Sequence, residues 1–234
     1  MGAFQLPTPC SARIAESAPQ NGQNFWLFIL SSAPAAFRCA GMPIQFFLTK
    51  DHALLAQYCE LRNRVYRRHY PHLAEDFGRL EAMDHSSLIV VGCETSVVAG
   101  GRITVSRPGK PQLMPMEQPG FRLAQALPQF RLDREPCAEF SRVAVDPACR
   151  HERRASSGLI HEMAWTAARL GVDLVFSICP EPQVRWNAAN SRKCGVRFQV
   201  FPELEVPTTF RIPMTLCAYT GLIEAHRRCF LLSA

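Results

Sequence analysis

The chain has 234 residues, 47% of them hydrophobic and 20% charged, with a formal net charge of +6. That length supports one well-cored domain with a tail, and the positive balance suits an anionic partner. No stretch approaches the roughly 20 apolar residues of a membrane span, so no integral membrane span is expected.

Residues 1–41 are rich in Pro, Ala, Ser and Gln, with one apolar burst, Phe25–Leu30. They read as a disordered or mis-assigned extension ahead of Met42. A signal peptide cleaved at Ala33-Pro34-Ala35 is the competing reading, but its leading region carries only Arg13, offset by Glu16, and the apolar core is short. The expected location is the cytoplasm. Ten cysteines, scattered without a single CxxC pair, suit a reduced protein with no structural zinc and no disulfide framework. His161-Glu162 begins a metalloprotease motif that Trp165 ends, since the second histidine belongs there. No metal site is expected.

Pro43–Thr49 reads as an opening strand. Asp51 can cap a helix running to about Tyr70, with Leu54, Leu55, Tyr58, Leu61, Val65 and Tyr66 at helical spacing. Arg62 and Tyr66 share one face of it. Pro71 ends the helix, and 72–86 reads as a loop carrying Glu81 and Asp84. Ser87–Cys93 and Ser96–Val105 form a predicted hairpin. Gly100-Gly101 inside its second strand marks a bulge or a close backbone approach, and Arg102 follows. Residues 106–120 hold four prolines and two glycines and read as a loop. Phe121–Leu127 reads as a short helix.

The most informative segment comes next. Ala138-Glu139-Phe140-Ser141-Arg142-Val143-Ala144-Val145 reads as a strand, ended by Pro147. Simple alternation puts Glu139 and Arg142 on opposite faces unless a bulge intervenes. A basic run follows, Arg150, Arg153 and Arg154, and then a helix from about Ser156 to Leu170, stopped by Gly171. A strand, a basic loop and a helix N-terminus make a site for a phosphate-bearing acyl donor. Leu174–Cys179 is a continuous apolar strand, Glu181–Lys193 a helix ended by Gly195, and Arg197–Phe201 and Phe210–Tyr219 two last strands. The order predicts an α/β (α+β) fold with a mixed, mostly antiparallel sheet flanked by helices. No GxGxxG or GxxxxGK[ST] opens any helix.

This order resembles the GNAT acyltransferase fold. Within it the charged positions resemble the acyl-homoserine-lactone synthases (autoinducer synthases) and the N-acyl amino acid synthases. The family's R-x-x-V-F is matched by Arg62-Asn63-Arg64-Val65-Tyr66, its acidic pair by Glu81 and Asp84, its R-[LI] by Arg102-Ile103, and its E-x-S-R by Glu139-Phe140-Ser141-Arg142. The first acidic position is Glu rather than Asp, Tyr66 replaces Phe, and Tyr70-Pro71-His72 stands where a tryptophan is expected. These departures bear on the acceptor pocket.

The resemblance implies an N-acyltransferase, of class EC 2.3.1, in a single domain over residues 42–234. A fatty acyl group would move from an acyl carrier protein thioester to the amino group of a small amino-acid-like acceptor, with autoinducer synthesis and quorum sensing as the setting. Glu139 would be the catalytic base, acting on the ammonium through water. Arg62, Tyr66, Glu81, Asp84, Arg102 and Arg142 would bind the acceptor. Arg150, Arg153, Arg154 and Ser156 would bind the donor. No cofactor is bound permanently, because the acyl group rides on phosphopantetheine. Arginines where coenzyme A enzymes favour glycines suit one phosphate and the acidic surface of a carrier protein. Val175, Phe176 and Ile178 are candidates for lining an acyl tunnel. A coenzyme A-dependent acetyltransferase and an inactive GNAT-fold regulator are the alternatives. A nucleic-acid module is not expected, because the arginines are dispersed and no recognition motif is present.

Overall fold

A computed structural model of the chain describes residues 44–231 except 74, 150–153, 194 and 209–211. The expectations for 1–41 and for the Arg150–Arg153 part of the basic run therefore lie outside the described residues.

Strand β1 (Gln45–Thr49) leads into helix α1 (His52–His69). Asp51 caps α1, its carboxylate accepting from the Leu54 N–H at 3.0 Å. Arg67 and Arg68 place positive charge at the dipole's negative end. The predicted 72–86 loop holds one short helix, α2 (Ala82–His85). Strands β2 (Leu88–Cys93) and β3 (Val97–Ser106) form the expected hairpin. After helix α3 (Leu123–Ala126) and a 3₁₀ turn (Pro128–Phe130) comes β4 (Cys137–Val145). Then follow α4 (Arg154–Arg169), β5 (Leu174–Pro180), α5 (Glu181–Lys193), β6 (Arg197–Phe201) and β7 (Met214–Thr220). A last helix, α6 (Leu222–Leu231), has no counterpart in the sequence reading.

Among the described residues, seven strands make one sheet in the order β1-β2-β3-β4-β5-β7-β6. Every pairing is antiparallel except β4 with β5. That parallel pair matters most for the site. It pairs only through Cys137–Leu174, Ala138–Val175 and Glu139–Phe176. Beyond it, Phe140–Val145 stays with β3 and Ser177–Pro180 with β7, so the sheet splits into a wedge whose apex is Glu139.

Three apolar clusters hold the layers. Helix α4 packs Leu159, Ile160, Met163 and Ala167 on Val90, Ile103, Ala138 and Val175. Helix α1 packs Tyr58, Leu61 and Val65 on Ile89, Val91 and Ala144 from the opposite face. The long 106–130 connection buries Met114, Met116, Phe121 and Leu123 over Phe176 and Leu216. Burying such side chains contributes roughly 1.5–3 kcal/mol each. Val175 and Phe176 are fully buried in these cores, on opposite faces, and Ile178 is half-buried.

Candidate active site

The site grows from two backbone irregularities. At the middle of the β3–β4 ladder, Gly100 pairs with Ala144 while Arg102 pairs with Ser141, so Gly101 alone faces Arg142 and Val143. Arg142 takes up the extra residue with φ +53°, a left-handed conformation that is rare for a side chain of its size. The bulge overrides alternation. Arg142 swings onto the face that carries Arg102, Thr104 and Glu139 and reaches the Glu81 carboxylate, Nε to Oε1 2.9 Å. The second irregularity is α2, which is one turn built on a capping box. The Asp84 carboxylate accepts the Glu81 N–H at 2.8 Å, and Glu81 accepts in return from the Asp84 backbone. The three-residue spacing of the acidic pair is therefore the spacing of a helix cap.

Around Asp84 the charges interlock. Its Oδ2 takes the Arg62 guanidinium at 2.9 Å and its Oδ1 takes Arg102 at 2.9 Å. Arg62 is fully buried and donates also to the carbonyls of Phe77 and Arg79. Arg102, equally buried, spans Asp84, Glu81 at 2.8 Å and the Ser141 hydroxyl at 3.1 Å. Burial alone would raise the Asp84 carboxyl. Arg62, the Glu81 N–H and Arg102 outweigh it and hold the group below its ordinary range. Arg62, Asp84 and Arg102 thus form a closed, buried framework. Glu81 and Arg142 keep 25% and 20% of their side chains exposed, so the solvent-facing end of the lattice is theirs. Arg142 lies over the rings of Phe77 and Tyr66, 5.0 and 5.9 Å from their centroids, and meets Glu75 at 3.6 Å.

Glu139 is 2% exposed at the apex of the wedge. Its Oε2 accepts the Met116 N–H at 2.9 Å. Burial pushes its carboxyl up to about 8, against the pull of Met116 N–H, Arg102 and Arg142. A carboxyl poised there is a stronger base once ionised than an ordinary one and exchanges its proton near neutral pH. The Met116 loop is itself fixed by Glu117, whose two oxygens accept the N–H groups of Met114 and Leu123, both at 2.9 Å.

The sequence-predicted acceptor residues Arg62, Tyr66, Glu81, Asp84, Arg102 and Arg142 are all brought into this one lattice, with Glu139 on the same sheet face. On the donor side, Arg154 opens α4 and Ser156 lies in its first turn, both half-buried. Sequence reasoning missed Met116, Glu117, Glu75 and the carbonyls of Phe77 and Arg79, and it gave Ser141 of the E-x-S-R match no role. Backbone partners carry no residue signature, but Glu117, an acidic residue inside a proline-rich loop, was a usable signal. Among the described residues no group of three or more His, Cys, Asp or Glu is placed to hold a metal ion.

No family model matches the chain, and no curated protein does. Solved structures do. The chain is similar to FeeM, an N-acyl amino acid synthase from uncultured soil microbes, with TM-score 0.60 and 14% identity, over 82% of this chain and 97% of that one. A putative N-acetyltransferase from Lactobacillus plantarum aligns with TM-score 0.51 and 14% identity, over 76% and 97%. The fold is that of the GNAT acyltransferases. BjaI, a CoA-dependent acyl-homoserine lactone synthase, aligns with TM-score 0.50 and 18% identity, over 76% and 83%. The GNAT fold carries many chemistries, so fold alone does not fix this chain's activity.

Proposed function

We propose that the chain is an N-acyltransferase that moves a fatty acyl group from a carrier thioester to the amino group of a small amino-acid-like acceptor. The observation that carries this reading is the buried Glu139 carboxyl, poised near neutrality at the apex of the β4–β5 wedge beside an arginine–carboxylate lattice. Glu139 removes the ammonium proton, directly or through one water, and delivers a neutral amine to the thioester carbonyl. Glu81 and Arg142 meet the acceptor's ammonium and carboxylate, with the Tyr66 ring beside them. Arg62, Asp84 and Arg102 hold those groups in place. The likeness to an N-acyl amino acid synthase and an acyl-homoserine lactone synthase supports this class of product.

The donor is an acyl carrier protein, on the strength of the basic run 150–154, and the setting is cytoplasmic. Coenzyme A is the alternative, favoured by the CoA dependence of BjaI. Mass spectrometry of lipid extracts from cells expressing the chain tests the reaction. An N-acyl amino acid or an acyl-homoserine lactone is expected, and the absence of both overturns it. Competition between acyl carrier protein and coenzyme A donors in the purified reaction decides the carrier.

A further inference from the structure

The hydrogen bond that the base receives is aimed by a residue the mechanism above does not use. Among the described residues the Met116 N–H is the only group that donates to the Glu139 carboxyl, at 2.9 Å. A backbone N–H points where its turn points it. Pro115, just before Met116, has no N–H to help fix that turn. Glu117 closes it instead. Its N–H donates to the Met114 carbonyl at 2.8 Å, and its Oε2 accepts the Met114 N–H at 2.9 Å. Its Oε1 accepts the Leu123 N–H at 2.9 Å, six residues on, where α3 begins. One carboxylate thus pins both ends of the segment that carries Met116.

Other contacts hold the loop without aiming this donor. Gln118 donates to the Pro207 carbonyl at 3.4 Å, and Arg122 donates to the carbonyls of Gln118 and Phe121 at 2.9 and 3.2 Å. These tie down the half beyond Glu117. The Met114 and Met116 side chains, each 2% exposed, anchor the turn in the core over Phe176. Apolar contact of so flexible a side chain does not set the direction of an N–H.

We propose that Glu117 is a positioning residue for the reaction, holding the 114–117 turn so that the Met116 N–H meets the Glu139 carboxylate as that base ionises. The inference rests on the assignment of Glu139 as the base.

The charged groups facing Glu139 are Arg102 on β3, Arg142 on β4 and Glu117 on the loop, while its β5 neighbour Phe176 carries none. Cys137, two residues earlier on β4, stays neutral because burial pushes its thiol up to about 12. Glu117 acts on Glu139 in two ways of opposite sign. As a nearby negative charge it makes ionisation harder. Through Met116 it supplies a donor that makes ionisation easier, and this second effect is the larger. Removing Glu117 therefore raises the Glu139 carboxyl further if Glu117 positions the turn, and lowers it if Glu117 is only a nearby charge.

The test uses the full chain. Glu117→Ala, Glu139→Gln and the double variant are compared with the parent by urea unfolding over pH 5–10. The stability difference made by Glu139→Gln levels off near pH 8 in the parent. In the Glu117→Ala background it should level off about one pH unit higher, as the loss of a hydrogen bond to a charged group requires. This measurement needs no substrate. Amide formation from a fatty acyl thioester and amino acids is followed in parallel. Relative to the parent, kcat/KM of Glu117→Ala should fall about tenfold at pH 7 and recover most of that loss at pH 9.5, which a merely structural lesion would not do. Arg122→Ala, on the same loop, should move neither readout. If Glu117→Ala does not fold, Glu117→Gln, which keeps one acceptor oxygen, should show the same shift in smaller size. A levelling pH that stays in place or moves down overturns the positioning role, and so does an equal shift in Arg122→Ala. The upward shift in a protein that forms no amide upholds the link from Glu117 to Glu139 and overturns the acyltransferase reading instead.

Discussion

The Tyr58 hydroxyl donates to the carbonyl of Arg142 at 2.7 Å, and to reach it the ring lies in the space that a β-carbon on Gly100 would need. Helix α1 thereby holds the backbone carbonyl of a residue in left-handed geometry, and the β3 backbone must be bare for it to do so. Tyr58 is fully buried, and desolvation raises its hydroxyl's pKa, so it stays a neutral donor.

A methyl group at Gly100 should therefore damage the site as well as the core. Gly100→Ala is expected to cost about 1–3 kcal/mol, as overpacking does, and to reduce turnover more than the stability loss explains, because Arg142 loses its support. Gly101→Ala is the comparison. Its β-carbon would meet the Met163 sulfur at 2.7 Å, the flexible end of a side chain that can yield. Urea unfolding and turnover of the two variants check this. Equal losses in both would show that the Tyr58 contact is nothing special.

Asp84 should be the most sensitive charge in the chain. Its two oxygens neutralise two buried guanidinium groups, so Asp84→Asn leaves both arginines short of a counter-charge. Breaking a buried ionic group in this way costs about 3–5 kcal/mol. Asp133→Asn, at an exposed pair with Arg134, should stay within about 0.5 kcal/mol of the parent. Thermal melts of the two variants make the comparison. Because the Asp84 carboxyl is held below its ordinary value in the fold, its contribution is present above the unfolded value of 3.8 and is lost as pH falls through the folded one.

Much of this was legible in the residues. Alternation and helical spacing gave the order of strands and long helices, and Asp51, Gly171 and Gly195 marked ends that the structure keeps. The Gly100-Gly101 pair announced both a bulge and a close approach, and both occur there. What sequence could not say is which residue absorbs the bulge. Alternation separates Glu139 from Arg142, and only the left-handed turn at Arg142 reunites them. Helix α2 was hidden because one turn has no periodicity, and its cap reads as two loop carboxylates. Helix α6 follows the closing strand in the last residues, where no element was expected. The hydrogen bond from Met116 to Glu139 links a proline-rich loop to a strand 23 residues on, and no local pattern encodes it.

Glu139 joins catalysis to stability in a way that pH separates. Its carboxyl lies near 8 in the fold against 4.5 for an ordinary one, so the folded protein keeps a proton that the unfolded chain releases. Stability relative to Glu139→Gln should therefore fall as pH rises from about 4.5 to about 8, and level off above that. Activity should run the other way, with kcat/KM climbing towards pH 8 as the base ionises. Glu139→Gln should lose about a hundredfold to ten-thousandfold in turnover while remaining folded, since an amide oxygen can still accept from Met116. Urea titrations and rate profiles over pH 5–9 check both slopes. A stability difference that does not change with pH would mean that Glu139 is ionised in the fold.

The donor assignment stands or falls on the basic run. Replacing Arg150, Arg153 and Arg154 together with Ala should raise KM for acyl carrier protein far more than for short acyl thioesters. The reasoning is electrostatic: arginines before α4 steer an acidic partner and make charge-assisted contacts to one phosphate. At ~1–2 kcal/mol for each contact made, three lost contacts weaken donor binding by on the order of a hundredfold or more. Turnover at saturating donor should change little, because Glu139 and the Asp84 framework lie on other elements. Raising salt on the parent should mimic the triple variant, since screening acts on the same charges. A triple variant that binds carrier protein as the parent does would make the run a solvated turn, and coenzyme A would then become the better-supported donor.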